Sequence, residues 1–367
     1  MSSQNGVRRF FIAGVLTLLA GTTTVFADAR GLSSEIQADK ATVGAADDVF
    51  VRFTLRNDSS QDLYVLSWQT PLRGIQEDIF EVRRDGQEVG YIGRLYKWAT
   101  PRAEDFIRIP AGGSVSARVE LSSVYDISRS GEYSIQYRVP VREALRATGA
   151  KVAAAKLGHI ESNVLSLAIE RDERTLAEAP AEIEAPNVMV DAYLTPSYVS
   201  CSSTRQSTLV TATSNAESMS LKARNYLNNL PSTSRPTDSA YRTWFGSYTT
   251  TRYSTVQTHY NNIYNAFNTK RFTYHCDCTS SAYAYVYANQ PYNVHLCNAF
   301  WNAPMTGTDS KGGTLVHEMS HFSVVADTDD HAYGQSACKS LATSSPTRAL
   351  DNADSHEYFA ENTPSLP

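Results

Sequence analysis

The 367-residue chain lacks any block of basic residues, and its formal net charge is only −5. Its 33 lysines and arginines are scattered, so the sequence does not have the concentrated positive charge with which proteins bind nucleic acids. The chain also lacks a long apolar run, because the longest one, from Phe10 to about Ala20, is well short of the roughly twenty residues that span a bilayer. We therefore expect neither nucleic-acid binding nor a membrane-spanning helix.

The short apolar run near the N-terminus has the layout of an export signal. Arg8 and Arg9 precede it, and a stretch of small residues that ends at Ala29 follows it. We expect residues 1–29 to be a secretory signal peptide that directs the protein out of the cell. The paired arginines also leave open export by a twin-arginine signal.

Cysteine is absent from the N-terminal half of the chain. The cysteines of the other half are Cys201, Cys276, Cys278, Cys297 and Cys338. An exported chain folds in an oxidising compartment, where disulfides persist, so we expect two disulfides and one free thiol. A metal site that begins at Cys276 and Cys278 is the alternative, but the single residue between them is fewer than the two to four that usually separate zinc ligands.

The N-terminal half has the alternating pattern of β-strands and no catalytic group of residues. Runs such as "DVFVRFTLRN" and "GEYSIQYRV" alternate apolar with polar residues and are separated by turn residues. This pattern predicts an antiparallel β-sandwich of immunoglobulin-like architecture over residues 30–171. Residues 172–190 are rich in Ala, Glu and Pro and lack this pattern, so we expect them to form an exposed linker.

The remaining part of the chain, residues 191–367, is rich in Tyr, Ser, Thr and Asn. Helical periodicity is found around 205–229 and 251–268, and a Tyr-rich strand pair is expected within 271–297. A further helix is expected from about Thr314, with Thr314 itself as the N-cap. Residues 191–367 are therefore predicted to form an α+β domain whose helices carry the catalytic residues.

The last of these helices contains the motif "HEMSH", which begins at His317. Residues four apart lie on one face of a helix, so His317 and His321 can bind one metal ion together. Glu318 lies about 100° around the helix from His317, beside the metal, where it can polarise a metal-bound water molecule. The motif predicts a catalytic zinc site, which usually has three protein ligands and one open position.

Spacing alone does not identify the third ligand. Asp327 stands where a metzincin has its third ligand, but Val324 replaces the glycine that this pattern requires. A thermolysin-like arrangement would use Glu357 or Glu361 from a later helix. Asp330 lies in the short stretch "TDDHAYG", which can fold back under the metal.

The segments "GTLVHEMSHF" and "TDDHAYG" together resemble the aspzincin, or deuterolysin, family of zinc metalloendopeptidases, in which an Asp in a GTxDxxYG loop is the third zinc ligand. The segments "YRTWFGSY", "CNAFWNAPMTGTDS" and "NADSHEYFAEN" are similar to the peptidyl-Lys branch of that family. The resemblance covers roughly residues 195–362. Asp327 departs from the loop pattern because it occupies the place of the first glycine.

The resemblance implies a zincin-type catalytic domain with one zinc ion per chain. It assigns the zinc ligands to His317, His321 and Asp330, the general base to Glu318, and a hydroxyl that stabilises the oxyanion to Tyr333. These roles agree with zinc chemistry, because zinc polarises the scissile carbonyl and lowers the pKa of its water molecule toward 7, so that a carboxylate can take the proton.

The same resemblance implies a pairing of the cysteines. It pairs Cys201 with Cys276 and Cys278 with Cys297, which leaves Cys338 reduced. A disulfide between Cys276 and Cys278 is not expected, because so tight a loop strains the bond geometry.

Two acidic residues near the C-terminus, Asp354 and Glu357, lie three apart in a predicted helical turn, so both carboxylates can face one pocket. The resemblance to the Lys-specific branch implies that this pocket binds the lysine after the cleaved bond of protein or peptide substrates. We then expect the β-sandwich to be a prodomain that inhibits its own monomeric chain, with an accessory binding module as the alternative. If it is inhibitory, Lys97, Lys151 and Lys156 are the candidates for the lysine that blocks the pocket.

A different class of protein is also compatible with the motif, namely a secreted binding or adhesion protein whose zinc is structural. Such a site would need a fourth ligand, for which His331 and Cys338 are the candidates.

If the protein is instead a Lys-specific enzyme, it cannot cut its own linker, because no lysine occurs between Lys156 and Lys222. Removal of the prodomain would then require another protease.

Overall fold

The computed structural model describes residues 31–40, 42–44, 46–140, 145–147, 159–171 and 195–363. The predicted signal peptide and linker lie outside these residues, as do Lys151 and Lys156. We call the described part of 31–171 the β-region and residues 195–363 the catalytic region.

The β-region consists of short strands. They are β1 (Leu32–Ala38), β2 (Thr42–Val43), β3 (Phe50–Asn57), β4 (Leu63–Leu66), β5 (Phe80–Arg84), β6 (Gln87–Glu88), β7 (Leu95–Lys97), β8 (Phe106–Ile109), β9 (Ser114–Glu120), β10 (Gly131–Pro140), β11 (Leu145–Ala147), β12 (His159–Glu161) and β13 (Leu165–Ile169). Three sheets have the orders β1-β3-β9, β2-β13-β10-β5-β6 and β11-β4-β8, and β12 pairs with β10. Only β2 and β13 pair in parallel among these strands.

Side chains from the first two sheets share one apolar core. Val51, Phe53 and Leu55 alternate along β3 with more exposed residues and are fully buried. The ring of Phe53 lies 4.7 Å from the ring of Tyr137 on β10, measured between centroids. Period-two burial of this kind is what the sequence predicted, so the β-rich character is confirmed. The immunoglobulin-like architecture stays a prediction.

The catalytic region combines helices with a small sheet. Its helices are α1 (Ser203–Asn229), α2 (Ser239–Phe245), α3 (Thr250–Thr269), α4 (Asn298–Asn302), α5 (Lys311–His321), α6 (Gln335–Ser344), α7 (Pro346–Leu350) and α8 (Ala353–Asn362), and its strands are β14 (Ser197–Val199), β15 (Thr273–His275), β16 (Ala284–Val286) and β17 (Asn293–Leu296). The predicted helices around 205–229 and 251–268 are α1 and α3. No helix in the described residues is long and apolar enough to cross a membrane.

The sheet of the catalytic region has the order β14-β15-β17-β16-β7, so its last strand comes from the β-region. Strand β7 pairs antiparallel with β16, and Lys97 lies opposite Ala284. Adding a strand to an exposed sheet edge is a common way for proteins to bind extended peptides. The β-region therefore binds the catalytic region partly through backbone hydrogen bonds.

Helix α5 begins one turn earlier than predicted. Its N-cap is Ser310, whose hydroxyl accepts a hydrogen bond from the Gly313 amide, so the prediction that Thr314 is the N-cap was wrong. The two residues before Thr314 lie inside the helix and are glycines because neighbouring elements approach these positions too closely for a larger side chain. A Cβ atom on Gly313 would lie 2.1 Å from the Glu361 carboxylate on α8, and one on Gly312 would lie 3.2 Å from Asn215 on α1.

Two disulfides, both in the catalytic region, connect the sheet to its surroundings. Cys201 is bonded to Cys276, and Cys278 is bonded to Cys297, which is the pairing that the family resemblance implies. Cys338 is free and buried. The first bond joins the segment before α1 to the end of β15, and the second joins the following loop to the end of β17.

Candidate active site

Helix α5 carries three fully buried ionisable side chains, those of His317, Glu318 and His321. The Nε2 atoms of the two histidines lie 3.1 Å apart. Two imidazoles that converge in this way one helical turn apart can bind one metal ion. The helical context predicted for the motif is therefore present.

The loop after α5 brings Asp330 to the two histidines. Its Oδ1 lies 3.4 Å from Nε2 of His317, and its Oδ2 lies 3.4 Å from Nε2 of His321. Asp327 is exposed and begins the loop with a φ of 52°, in the left-handed region that glycine adopts easily and Asp tolerates. This explains why Asp can replace the family's glycine there. The geometry thus brings Asp330, and not Asp327, to the histidine pair.

Asn352 holds this loop in place, although sequence reasoning gave it no role. Its side-chain oxygen accepts hydrogen bonds from the amides of His331 and Ala332, at 2.9 and 2.8 Å. The residue is fully buried at the start of α8. Asn352 lies inside the segment "NADSHEYFAEN" that resembles the family, but no local pattern links it to the loop twenty residues earlier.

Two further contacts orient the imidazole rings. Nδ1 of His321 lies 2.7 Å from the carbonyl oxygen of Thr328, and Nδ1 of His317 lies 2.8 Å from Oδ1 of Asp354. Acceptors at Nδ1 keep the proton on that atom and leave Nε2 free to bind a metal. Asp354 was predicted only as part of a substrate pocket, so its contact with a metal-binding histidine is an addition.

Two features of His317, His321, Asp330 and Glu318 suit a zinc ion: their donor atoms, and their buried carboxylate oxygens that lack a hydrogen-bond partner in the described part of the chain. Both carboxylate oxygens of Asp330 and both of Glu318 are buried and have no hydrogen-bond partner within the described ranges. Buried carboxylates are normally paired with a donor or a metal. Two imidazole nitrogens and one carboxylate are a common ligand set of catalytic zinc. Burial also raises the pKa of Glu318 well above its usual range.

A second acidic cluster lies beside the histidines and is occupied by a lysine of the β-region. The Nζ atom of Lys97 is 2.6 Å from Glu357, 3.1 Å from Asp354 and 3.6 Å from Asp309. The Lys97 side chain is 1% exposed. The predicted pair Asp354 and Glu357 therefore does face one pocket, and Asp309 at its rim is a member that the sequence did not indicate.

Lys97 and Asp354 stabilise each other's charge in this pocket, whereas burial raises the pKa of Glu357 well above its usual range. Burial disfavours the charged form of Lys97, but the Asp354 and Glu357 carboxylates raise the pKa of its ammonium well above the usual range. Burial also opposes ionisation of Asp354, but the Lys97 ammonium and His317 lower the pKa of this carboxyl. The pocket is thus built for a cation.

The hydroxyl of Tyr333 points to the same segment of the β-region. It donates a hydrogen bond to the carbonyl oxygen of Tyr96 at 2.8 Å. Tyr96 immediately precedes Lys97, so the Tyr333 hydroxyl and the acidic pocket contact the two sides of one peptide bond.

Two residues considered as closing ligands of a structural zinc site are engaged elsewhere. Nε2 of His331 lies 2.8 Å from the Asp351 carboxylate, and the Cys338 thiol contacts the carbonyl oxygen of Ala332. Neither belongs to a metal-compatible group in the described part of the chain. A further such group consists of His275 on β15, His295 on β17 and the exposed Asp277 in the loop after β15.

Comparisons with known proteins agree with this geometry. The sequence pattern of the aspzincins, described as lysine-specific metallo-endopeptidases, matches residues 231–361. The chain is 41% identical over 357 residues to an extracellular protease of Aeromonas hydrophila, covering 96% of this chain and 98% of that protein. It is 34% identical over 372 residues to a peptidyl-Lys metalloendopeptidase of Grifola frondosa, covering 96% and 99%.

A solved zinc peptidase from Grifola frondosa matches with 48% identity and a TM-score of 0.43, covering 46% of this chain and 100% of that chain. The protein is a metalloendopeptidase, and zinc is the metal of such sites. It belongs to the aspzincin family. The resemblance stated from the sequence is confirmed, and the alternative of a binding protein with structural zinc is removed.

Proposed function

We propose that the protein is a secreted zinc metalloendopeptidase that is made as a zymogen and hydrolyses the peptide bond on the N-terminal side of lysine. The observation that carries this proposal is the ammonium of Lys97 between the carboxylates of Asp354 and Glu357, next to His317. Relatives named peptidyl-Lys metalloendopeptidases support the same specificity. Secretion is supported by the predicted signal peptide and by the relative named extracellular protease.

The proposed mechanism uses the buried side chains of α5 and of the following loop. His317, His321 and Asp330 would hold one zinc ion, which would supply a Lewis acid and lower the pKa of a water molecule. Glu318 takes a proton from the attacking water and delivers it to the leaving α-amino group of the lysine. The Tyr333 hydroxyl donates to the carbonyl oxygen on which negative charge develops.

The acidic pocket determines which bond reaches these groups. Asp354 and Glu357 bind the substrate ammonium, and Asp309 adds a third carboxylate at the rim. A buried, paired site discriminates strongly against side chains without the charge, because such a side chain leaves the carboxylates without a partner. Lysine is therefore favoured directly after the cleaved bond.

The β-region acts as an intramolecular inhibitor in this proposal. Strand β7 pairs with β16 at the edge of the catalytic sheet and fills the lysine pocket with Lys97. Of the three lysines considered from the sequence, Lys97 is the one within the described residues. Since the inhibitor belongs to the same chain, the zymogen needs no second copy and is proposed to be a monomer.

The experiment that tests this function is a map of cleavage sites. The protein is secreted by a host whose proteases remove the β-region and is then incubated with a mixture of denatured proteins, and new N-termini are identified by mass spectrometry. We expect them to begin with lysine. Glu318→Gln should lose about 10²- to 10⁴-fold in rate while it retains zinc, since the amide cannot accept the proton. Cuts without preference for lysine, or equal rates of the two proteins, would contradict the specificity and the general base respectively.

A further inference from the structure

The segment of the β-region that fills the active site lies there as a substrate would lie. Leu95, Tyr96 and Lys97 pair antiparallel with Val286, Tyr285 and Ala284 of the edge strand, in that order. The carbonyl oxygen of Lys97 accepts a hydrogen bond from the Tyr283 amide at 2.8 Å. An extended peptide bound in this way has its side chains in fixed positions along the cleft.

One peptide bond of this segment has both of its sides in the positions that hydrolysis requires. On one side, the Tyr96 carbonyl oxygen accepts the hydrogen bond of Tyr333, the group proposed to stabilise the developing negative charge. On the other side, the Lys97 ammonium fills the pocket of Asp354 and Glu357. The bond between Tyr96 and Lys97 is therefore the bond on the N-terminal side of a bound lysine.

The chain is held firmly on both sides of this bond. Before it, Nε of Arg94 donates to the Tyr287 hydroxyl at 2.9 Å, and the Arg94 guanidinium lies over the ring of Tyr285. After it, Trp98 stacks on Trp68 with ring centroids 4.1 Å apart. Such fixation lowers the entropic cost of reaching the reactive arrangement.

Water can approach the bond although the strand is docked. A cavity of about 430 Å³ lies against Tyr96, Asp330 and Tyr333 and is lined mostly by polar and charged side chains. A cavity of this size accommodates several water molecules. The docked strand thus covers the lysine pocket, while a cavity remains beside Tyr96 and Asp330.

We propose that the enzyme hydrolyses its own Tyr96–Lys97 bond in cis and that this cut is the first step of activation. The oxygen of a water molecule bonds to the Tyr96 carbonyl carbon, and the C–N bond to Lys97 breaks. Tyr96 then ends in a carboxylate, and the nitrogen of Lys97 takes a proton to become a free α-amine. This inference rests on the proposed function and adds the regulation of the same site.

The cut does not by itself release the β-region, because the two pieces remain paired in both main sheets. Strand β3 lies before the cut and pairs with β9 after it, and β5 before the cut pairs with β10 after it. The cut chain therefore stays associated under native conditions. Detection of the cut therefore requires denaturation. Full activity requires the later removal of the β-region, which a lysine-specific enzyme cannot achieve at the predicted linker because the linker contains no lysine.

The test follows the full-length chain after addition of zinc. The parent and Glu318→Gln are purified with a chelator, zinc is added, and samples taken over time are denatured, tagged at free α-amines and measured by mass spectrometry. We expect a new N-terminus at Lys97 in the parent and none in Glu318→Gln. The rate should stay constant over a roughly 100-fold range of protein concentration, as an intramolecular reaction requires.

Lys40 provides a matched internal control. Its side chain is 59% exposed, so cleavage governed by accessibility would occur at Lys40 before the buried Lys97. We expect the cut at Lys97 to come first, and a cut at Lys40 to accelerate with protein concentration. If the parent cleaves an added lysine peptide while the Tyr96–Lys97 bond stays intact, the inference is wrong and the proposed function stands. If neither is cleaved, the inference is wrong, whereas the proposed function, in which the intact chain is an inhibited zymogen, is decided by the cleavage map of the processed protein.

A second readout does not depend on catalysis. In the Glu318→Gln chain, acetylation with a lysine reagent should modify Lys40 readily and Lys97 at least about tenfold more slowly, because a buried, paired ammonium must be exposed before it reacts. Equal modification of the two lysines would show that the segment is not docked and would overturn the inference.

Discussion

The two regions of the molecule differ in where they bury charge. Within the described part of the β-region, the buried charged side chains are those of Lys97 and Asp105. Both contact the catalytic region, Lys97 in the acidic pocket and Asp105 through the hydroxyl of Ser281 at 3.1 Å. The catalytic region instead buries a network of its own charges around α5 and α8.

This difference indicates what each region is built to do. A buried charge without a partner is costly, so the buried ammonium of Lys97, whose carboxylate partners all belong to the catalytic region, is stable there only while that region is present. The catalytic region buries charge around its own site and fixes the strands beside it with two disulfides. The β-region therefore contributes one buried cation to the acidic pocket, and the catalytic region contributes the histidines and carboxylates around it.

The largest effect is expected from removal of Asp330, the proposed third zinc ligand. Asp330→Ala takes away the only described carboxylate that contacts both Nε2 atoms, so zinc affinity should fall by more than the roughly 10- to 100-fold typical of losing a group that merely orients a ligand. Activity should be lost with it. The measurement is the zinc content after dialysis against a graded chelator.

Asp327→Ala is the matched control for this prediction. Asp327 is an exposed carboxylate three residues away in the same loop, so the variant should retain most of its zinc. If Asp327→Ala lost zinc more easily than Asp330→Ala, Asp327 would be the ligand and the role proposed for Asp330 would be wrong.

The next largest effect concerns the charge that the β-region contributes. In the Glu318→Gln chain, Lys97→Met leaves two buried carboxylates without their ammonium, and removing one partner of a buried ion pair costs about 3–5 kcal/mol. We expect the free energy of unfolding in urea to fall by this amount.

Lys40→Met is the comparison, because Lys40 pairs with Asp47 at the surface and should show no measurable change. If both substitutions have the same effect, the β-region gains nothing from its contact with the pocket, and the contrast between the regions fails.

The smallest effect compares two helix N-caps inside the catalytic region. Ser310 is buried and donates to Glu361 in addition to capping α5, whereas Ser202 caps the exposed start of α1. Ser310→Ala should destabilise by about 1–2 kcal/mol and Ser202→Ala by about 0.5–1 kcal/mol, as measured by urea denaturation. Equal losses would mean that the contact with Glu361 does not contribute.

Local patterns predicted the parts of the site that lie on one element. The spacing of His317 and His321 places both histidines on one face of α5. The spacing of Asp354 and Glu357 places both carboxylates on one face of α8. The third ligand was left open because Asp330 is positioned by a loop, and the residue that holds this loop lies twenty residues away in sequence. Family resemblance selected Asp330 where spacing could not.

The docking of β7 has no signal in the sequence. Tyr96 pairs with Tyr285, which is nearly 190 residues further along the chain, and nothing in either segment specifies its partner. Lys97 was considered from the sequence only as one of three lysines. The N-cap of α5 was misplaced for a related reason, because Gly312 and Gly313 resemble a loop locally but are required by close packing against α1 and α8.

Asp354 joins tasks that enzymes often keep apart. Its carboxylate contacts Nδ1 of His317, accepts a hydrogen bond from the Gly334 amide in the loop, and binds the ammonium of Lys97. A substitution that aims to change the preferred residue at this position would therefore also disturb the histidine and the loop. Glu357 also contacts the ammonium but lies 3.6 Å from Nδ1 of His317, against 2.8 Å for Asp354. Evolution or engineering of a new specificity would therefore change Glu357 or the rim residue Asp309 before Asp354.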